Sequence, residues 1–326
     1  MLKNLCNDHQ RNILEQEIYK LFISQCKNVE YLSWKTCQPL TLFPRATIFY
    51  SQLYKLYIDI DSVNSDALFD LAQICKNLNT LSISSYSRNI PVLFYLVDAQ
   101  RNLKELNLYT KVDEKTGKEL SKALRNRTTI NNLHLSSIDN IVLSSLTTLV
   151  NLKKLTIHHW ENYKEIQQYL AIYEFPNLQK LTLMHEAGIL IKAIADNCPK
   201  TNYLNTYIEP KDFIHIKTLL LNCRFLKTIV LKSLEFFTNG NDNNIGDGLL
   251  NIFILFSPKS LNEIFISGFW KYSIDAFSQF FESFREQPLH YFGINYNKLS
   301  NSNITDDHKI IVRKYIDEGV VKHIYC

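Results

Sequence analysis

Glycine and proline are scarce in this chain, with 8 of each in 326 residues. That argues against a protein built of many tight hairpin turns, and glycines so thinly spread leave no phosphate-cradling loop. There is no Gly/Ser tract, no proline-rich run and no block of like charge to mark a linker, so one elongated body is expected. A dominant charge is missing too: the formal net charge is +4, and Lys and Arg are interspersed with Asp and Glu rather than gathered into the stripe that nucleic acid requires. The longest plainly apolar stretch, around Leu249 to Phe256, falls far short of the ~20 residues of a membrane span, and the first residues lack the apolar core of a signal peptide. A cytoplasmic or nuclear protein, away from nucleic acid and membrane, is the expectation. The 7 cysteines are an odd number without a C-x-x-C pair, so they are expected to stay reduced. The chain also lacks a G-x-S-x-G elbow, an H-E-x-x-H helix and a cysteine with an activating partner; neither an enzyme nor a bound cofactor is expected.

What the chain has instead is a repeat. The pattern apolar-x-x-apolar-x-apolar recurs as Val29-Leu32-Trp34, Leu53-Leu56-Ile58, Leu78-Leu81-Ile83, Leu103-Leu106-Leu108, Ile130-Leu133-Leu135, Leu152-Leu155-Ile157 and Leu178-Leu181-Leu183. It continues through Thr201-Leu204-Thr206, Leu226-Ile229-Leu231, Leu261-Ile264-Ile266, Leu289-Phe292-Ile294 and Val321-Ile324-Cys326. Successive first anchors lie 22 to 28 residues apart except for two late intervals of 35 and 32, which is the spacing of leucine-rich repeats. The fourth and sixth positions alternate with outward residues as a short strand demands. Between strands, as in 66–74, 116–124 and 273–281, apolar residues stand three and four apart, the helical spacing. An α/β solenoid of about twelve repeats is predicted, curved, with a parallel sheet on its concave face and helices on its convex face. Residues 1–28 are read as an N-terminal helical cap, with a helix from Ile13 to Gln25, and residues 29–326 as the repeat domain.

Cys26, Cys75, Cys198 and Cys223 each lie three residues before the first anchor of their unit, where a thiol is expected to act as a small buried hydrophobe. Equivalent positions in stacked units do not converge on one point, which argues against a metal. The run His158-His159-Trp160-Glu161 fails as a metal site because adjacent strand residues point to opposite faces. The Asn/Gly-rich segment 238–248 lacks the glutamate a calcium loop needs, since Phe253 stands in its place, and is predicted to be a solvated insertion.

The runs Cys75-Lys-Asn-Leu-Asn-Thr-Leu-Ser-Ile, Cys26-Lys-Asn-Val-Glu-Tyr-Leu and Asn222-Cys-Arg-Phe-Leu-Lys-Thr-Ile resemble the cysteine-containing leucine-rich repeats of F-box proteins. Glu17-Ile-Tyr-Lys-Leu-Phe, Gln38-Pro-Leu-Thr-Leu-Phe-Pro and Ser51-Gln-Leu-Tyr-Lys-Leu-Tyr-Ile-Asp-Ile-Asp look like segments of a large fungal group of F-box-like repeat proteins. The resemblance is to the repeat portion; no F-box is found in these residues. It implies that the repeats hold a protein substrate for a ubiquitin ligase, and that a Skp adaptor is a partner wherever an F-box is present. A free-standing repeat scaffold or inhibitor is the alternative.

The register names the outward residues that would meet a protein. Early units offer Tyr57 and Asp59. Middle units offer Asn107, Tyr109, His134, Lys154, His158 and Lys180. Later units offer Tyr203, Asn205, Tyr207, Phe265 and Tyr291. Aromatic side chains bury much area at small entropic cost, so the patch from Tyr203 to Tyr291 is the expected contact.

Overall fold

The computed structural model of the protein describes residues 8–85, 92–111, 114–125, 127–138, 146, 148–160, 175–186, 188–233, 245–268, 270–295 and 304–325. Two compact units divide the chain, Met1–Asn151 and Leu152–Cys326. In the first, the strands are β1 (Tyr31–Trp34), β2 (Lys55–Asp59), β3 (Thr80–Ser84), β4 (Glu105–Lys111) and β5 (Asn132–Ile138). Its described helices are α1 (Asp8–Gln25), α2 (Ala46–Ser51), α3 (Ser65–Ile74), α4 (Val92–Ala99) and α5 (Glu114–Leu124). The second holds β6 (Lys154–Trp160), β7 (Lys180–Glu186), β8 (Tyr203–Ile208), β9 (Thr228–Ser233), β10 (Glu263–Ser267), β11 (Leu289–Asn295) and β12 (Val321–Tyr325). Its described helices are α6 (Gly188–Asn197), α7 (Phe213–Asn222), α8 (Ile245–Phe256), α9 (Ile274–Ser283) and α10 (Asp306–Asp317).

Each of the twelve strands falls on one of the twelve sequence anchors, and within each unit every strand pairs in parallel with the next in chain order. The register turns the fourth repeat position into a ladder: Leu32, Leu56, Leu81, Leu106 and Leu133 are successive partners. In the second unit Leu155, Leu181, Leu204, Ile229, Ile264, Phe292 and Ile324 do the same. Leu56, Leu81, Leu106, Ile229 and Ile264 are all but inaccessible to solvent. A fully buried side chain of this size stabilises by about 1.5–3 kcal/mol, so the ladder rather than any single contact holds the strands in line.

Between consecutive strands one backbone device recurs. The carbonyl just before a strand accepts the two successive amides that lead into the next: Glu30 O takes Tyr54 and Lys55, Tyr54 O takes Asn79 and Thr80, and Asn79 O takes Lys104 and Glu105. In the second unit Asn202 O takes Lys227 and Thr228, and Lys227 O takes Asn262 and Glu263. Polar side chains meet other buried backbone groups at the corners, where an unpaired amide or carbonyl would be costly. Gln100 donates to the carbonyls of Cys75 and Leu96 and accepts from the Leu78 amide. Gln287 donates to the carbonyls of Lys259 and Leu261.

Caps and apolar spacing make the helices. The Asn64 side chain accepts the Asp66 amide at the start of α3, which buries Ala67, Leu68, Leu71 and Ala72. Ser273 caps α9 through the Ala276 amide, and that helix buries Phe277, Phe280 and Phe281. Phe280 and Phe281 pack on Phe292 of β11 at centroid distances of 5.3 and 4.9 Å, and Phe281 stacks on Tyr315 of α10 at 5.3 Å, an aromatic core beside the aliphatic ladder.

Several expectations are amended. Helix α1 begins at Asp8, five residues before Ile13, and packs on the first coil through Ile23, through Phe22 against Phe49, and through Arg45 donating to the Ser24 carbonyl. Its Ile13, Leu14, Ile18 and Leu21 stay exposed, so the contact is narrower than a full apolar face would give. Cys75, Cys198 and Cys223 are buried, and burial pushes each thiol up to about 12. Cys26 and Cys37, by contrast, are exposed. Of the segment 238–248, residues 245–248 form the first turn of α8 instead of an insertion; residues 238–244 lie outside the described residues.

Candidate functional site

Strand alternation sends one set of side chains into the core and the other onto the outward face of the sheet. On the first unit's face these outward groups engage each other. The Tyr57 hydroxyl lies 2.6 Å from Ser84 Oγ, with the Lys35 ammonium 4.9 Å above its ring. Asn107 donates to Ser82 and to Glu105. Tyr109 packs on His134 at 4.6 Å, and burial, aided by the charges of Glu105 and Tyr57, raises its pKa. Asp59 is not available as a surface contact: its carboxylate accepts the Asp61 amide and the Ser62 hydroxyl as the cap of a short 3-10 turn. It is the last residue of β2, where an acceptor meets the amides of the helical turn that follows.

In the second unit the register arranges the outward residues in rows across the strands. One row runs Lys154, Lys180, Tyr203, Thr228, Glu263, Tyr291 and His323. The next passes through Asn205, Val230, Phe265 and Gly293, and a third through Glu186, Tyr207, Lys232 and Ser267. Lys154 and Lys180 are exposed, and His158 is half-buried on β6. The side chains of His159 and His185 lie outside the described residues.

Over β8 to β11 these rows enclose a cavity of about 460 Å³, within the size range of ligand sites. Its apolar floor is Val230 and Phe265, and its rim carries Tyr203, Glu263 and Lys232. The floor depends on a missing side chain. A Cβ on Gly293 would lie 2.2 Å from Phe265 Cδ1, so only glycine lets the ring lie down over β11. Tyr291 stacks on the far side of Phe265, at 6.5 Å between centroids and 23° between planes, and His323 stacks on Tyr291 in turn at 4.9 Å.

The polar groups at the cavity differ in how far they are satisfied. At one end Thr228 donates to the Glu263 carboxylate at 2.7 Å. In the middle Asn205 Nδ2 donates to the Tyr203 hydroxyl at 3.4 Å, while its buried Oδ1 accepts nothing among the described residues. At the other end Lys232 meets, among the described residues, only the Met184 sulfur at 3.9 Å and the Tyr207 ring at 5.4 Å. Burial lowers the pKa of that ammonium, since a charge half withdrawn from water is disfavoured.

Of the expected contact residues, then, Tyr203, Asn205 and Phe265 line the cavity. Tyr207 holds Lys232, and Tyr291 backs Phe265 from outside. Lys232, Glu263, Val230 and Gly293 are not among the expected residues, although the same register places all four on this face. Among the described residues no three His, Cys, Asp or Glu side chains come together as metal ligands, and no helix is long and apolar enough to cross a membrane.

No protein-family model matches the chain, and no curated protein matches it in sequence. Among solved structures it is similar to a chain in the crystal structure of the Rad7 and Elc1 complex in yeast, with a TM-score of 0.51 and 16% identity, over 89% of this chain and 81% of that one. Such a likeness speaks to the fold alone, and it agrees with the strand and helix order: the chain is an α/β solenoid of leucine-rich-repeat type.

Proposed function

We propose that the chain is a protein-binding leucine-rich-repeat module, acting by recognition without catalysis, whose contact surface is the outward face of β8 to β11. One observation carries this reading. The 460 Å³ cavity there is walled by Tyr203 and floored by Phe265, and rigid aromatic groups beside a concavity supply most of the energy at protein interfaces. The similar yeast structure is itself a complex of two proteins, which favours a binding role. More finely, the F-box-like character of the repeats supports substrate recognition for a ubiquitin ligase in the cytoplasm or nucleus, with a Skp adaptor as partner wherever an F-box is joined to these repeats. The second reading is a stand-alone scaffold or inhibitor. It is favoured by helix α1, which already occupies the side of the first coil through Phe22 and Ile23.

The test is a triple variant, Tyr203→Ala, Phe265→Ala and Tyr291→Ala, compared with the parent by cross-linking and quantitative mass spectrometry. Partners held through this face are expected to weaken by about 30-fold or more, the effect of losing a contact worth about 2 kcal/mol. An unchanged set of cross-linked proteins would remove this face from consideration. Binding of a purified Skp adaptor separates the two finer readings: the ligase reading requires it of the F-box-joined protein, the scaffold reading does not.

A further inference from the structure

The face over β8 to β11 is graded along the strand direction. Lys232 stands at one end, Val230 and Phe265 in the middle, and Thr228 with its Glu263 partner at the other. Consecutive rows are two residues apart, about 6.6 Å at ~3.3 Å per residue, and the end rows are about 13 Å apart. An extended peptide has the same period: its side chains at i, i+2 and i+4 point to one side at the same spacing. A segment lying along β9 and β10 therefore sets three alternate side chains against the three rows.

Charge decides what those side chains are. Lys232 has no carboxylate partner among the described residues, only the Met184 sulfur and the Tyr207 ring. A half-buried ammonium so placed gains most from an incoming carboxylate, because a charge-assisted hydrogen bond replaces the water that the site has displaced. The middle row presents the Val230 and Phe265 surfaces to a bulky apolar group, with the buried, unmatched Asn205 Oδ1 beside them ready to accept an N–H. The row at the far end from Lys232 carries the Glu263 carboxylate, to which Thr228 donates one hydrogen bond; it repels an acid and attracts a base.

Resting on the reading of this face as the contact surface, we propose that it takes an extended segment of a protein partner in which a bulky apolar residue is flanked, two positions away on either side, by an acidic residue that pairs with Lys232 and a basic residue that faces Glu263. The Asn205 oxygen accepts a backbone amide of the segment near its apolar residue. The segment binds by side-chain complementarity, since the sheet beneath it is continuous from β8 to β11 and offers no strand edge there.

A phage-displayed library of random dodecapeptides, selected in parallel on the full chain and on its Lys232→Glu, Lys232→Met and Phe265→Ala variants, tests this, each variant being checked first for an unchanged thermal melt. On the parent, the selected peptides are expected to share acid-x-apolar-x-base in one chain direction or the other. With Lys232→Glu the acidic position is expected to turn basic; Lys232→Met, which keeps the apolar stem, is expected to lose the preference there while retaining the apolar one. Phe265→Ala is expected to lose the family altogether. Peptides that need Phe265 but show no acid two positions from their apolar residue, or whose acid is indifferent to Lys232→Glu, overturn the charge pattern and leave the face standing. Peptides indifferent to Phe265→Ala overturn the reading of the face itself, and a library yielding no peptide overturns the extended-segment proposal while partner cross-linking still reports on the face.

Discussion

The outward face of β2 to β5 and that of β8 to β11 are made from the same repeat positions, yet one is closed and the other open. On the first, Tyr57 meets Ser84, Asn107 meets Ser82 and Glu105, Tyr109 covers His134, and Asp59 caps its own turn. On the second, a glycine at 293 lays Phe265 flat, and Lys232 and the Asn205 oxygen are without matching partners among the described residues, beside a cavity. The difference teaches that aromatic content does not make a recognition surface. Tyr57 and Tyr109 are aromatic, but their polar neighbours already answer them. Unmatched polar groups around apolar floor distinguish the second face, since a partner gains by completing them.

The contrast can be broken at several points. The largest effect is expected from Phe281→Ala, which empties the aromatic cluster beneath β11 and should cost about 3–5 kcal/mol; a thermal melt measures it, and partner capture through β8 to β11 should fall with it. Leu106→Ala removes a rung of the aliphatic ladder and should cost about 2–5 kcal/mol, loosening the coils around β4 in hydrogen exchange. Because each coil of a solenoid touches mainly its neighbours, binding at β8 to β11 should survive it at temperatures where the variant stays folded. Gly293→Ala is intermediate: the added methyl drives Phe265 from its resting place, an overpacking cost of about 1–3 kcal/mol, and should cut binding more than its effect on the melt suggests. Tyr57→Phe on the closed face should cost only about 0.5–1.5 kcal/mol, the worth of its hydrogen bond to Ser84, and leave partner capture unchanged.

Acid should also act on the two regions unequally. His308 of α10 is buried with Nδ1 accepting the Thr305 amide and Nε2 donating to the Tyr272 carbonyl, an arrangement only the neutral ring can make. Burial lowers its pKa from the usual 6.5, against smaller opposing effects from the Tyr272 carbonyl, Asp307 and Asp247. The unfolded chain thus takes up a proton before the folded one. Its contribution is intact above pH 6.5 and is lost as the pH falls toward and through the lowered folded value. Hydrogen exchange followed from pH 7.5 to 5 should show α9, α10 and β12 loosening ahead of β2 to β4; equal loosening, or a gradient untouched by His308→Gln, would contradict it.

The fold was legible because its signal is a period. Anchors such as Leu56, Leu81 and Leu106 recur about every 25 residues and need no knowledge of their neighbours to be recognised. The corners were not, because nothing in the sequence marks Gln100 and Gln287; only the fold places three backbone groups around each. The face was half legible. Register named Tyr203, Asn205 and Phe265, but which outward groups satisfy one another depends on the residue one strand away, some 25 to 35 positions distant in sequence. Thus Asp59 looked available and is engaged, while Gly293, with no side chain to attract notice, shapes the floor.

The doubled acceptance of amides by a single carbonyl bears on how such a chain can change length. Tyr54, Asn79 and Lys104 occupy the same place in successive coils, each sending its amide to the carbonyl one coil back. Excising residues 54–78 would bring Asn79 to the Glu30 carbonyl that now receives Tyr54, and every rung would close again one step shorter. Excising ten residues would leave two amides facing no acceptor. Whole coils are therefore the unit in which this molecule can be lengthened or trimmed by recombination, so the first unit can vary in extent while the β8 to β11 face is carried along unaltered.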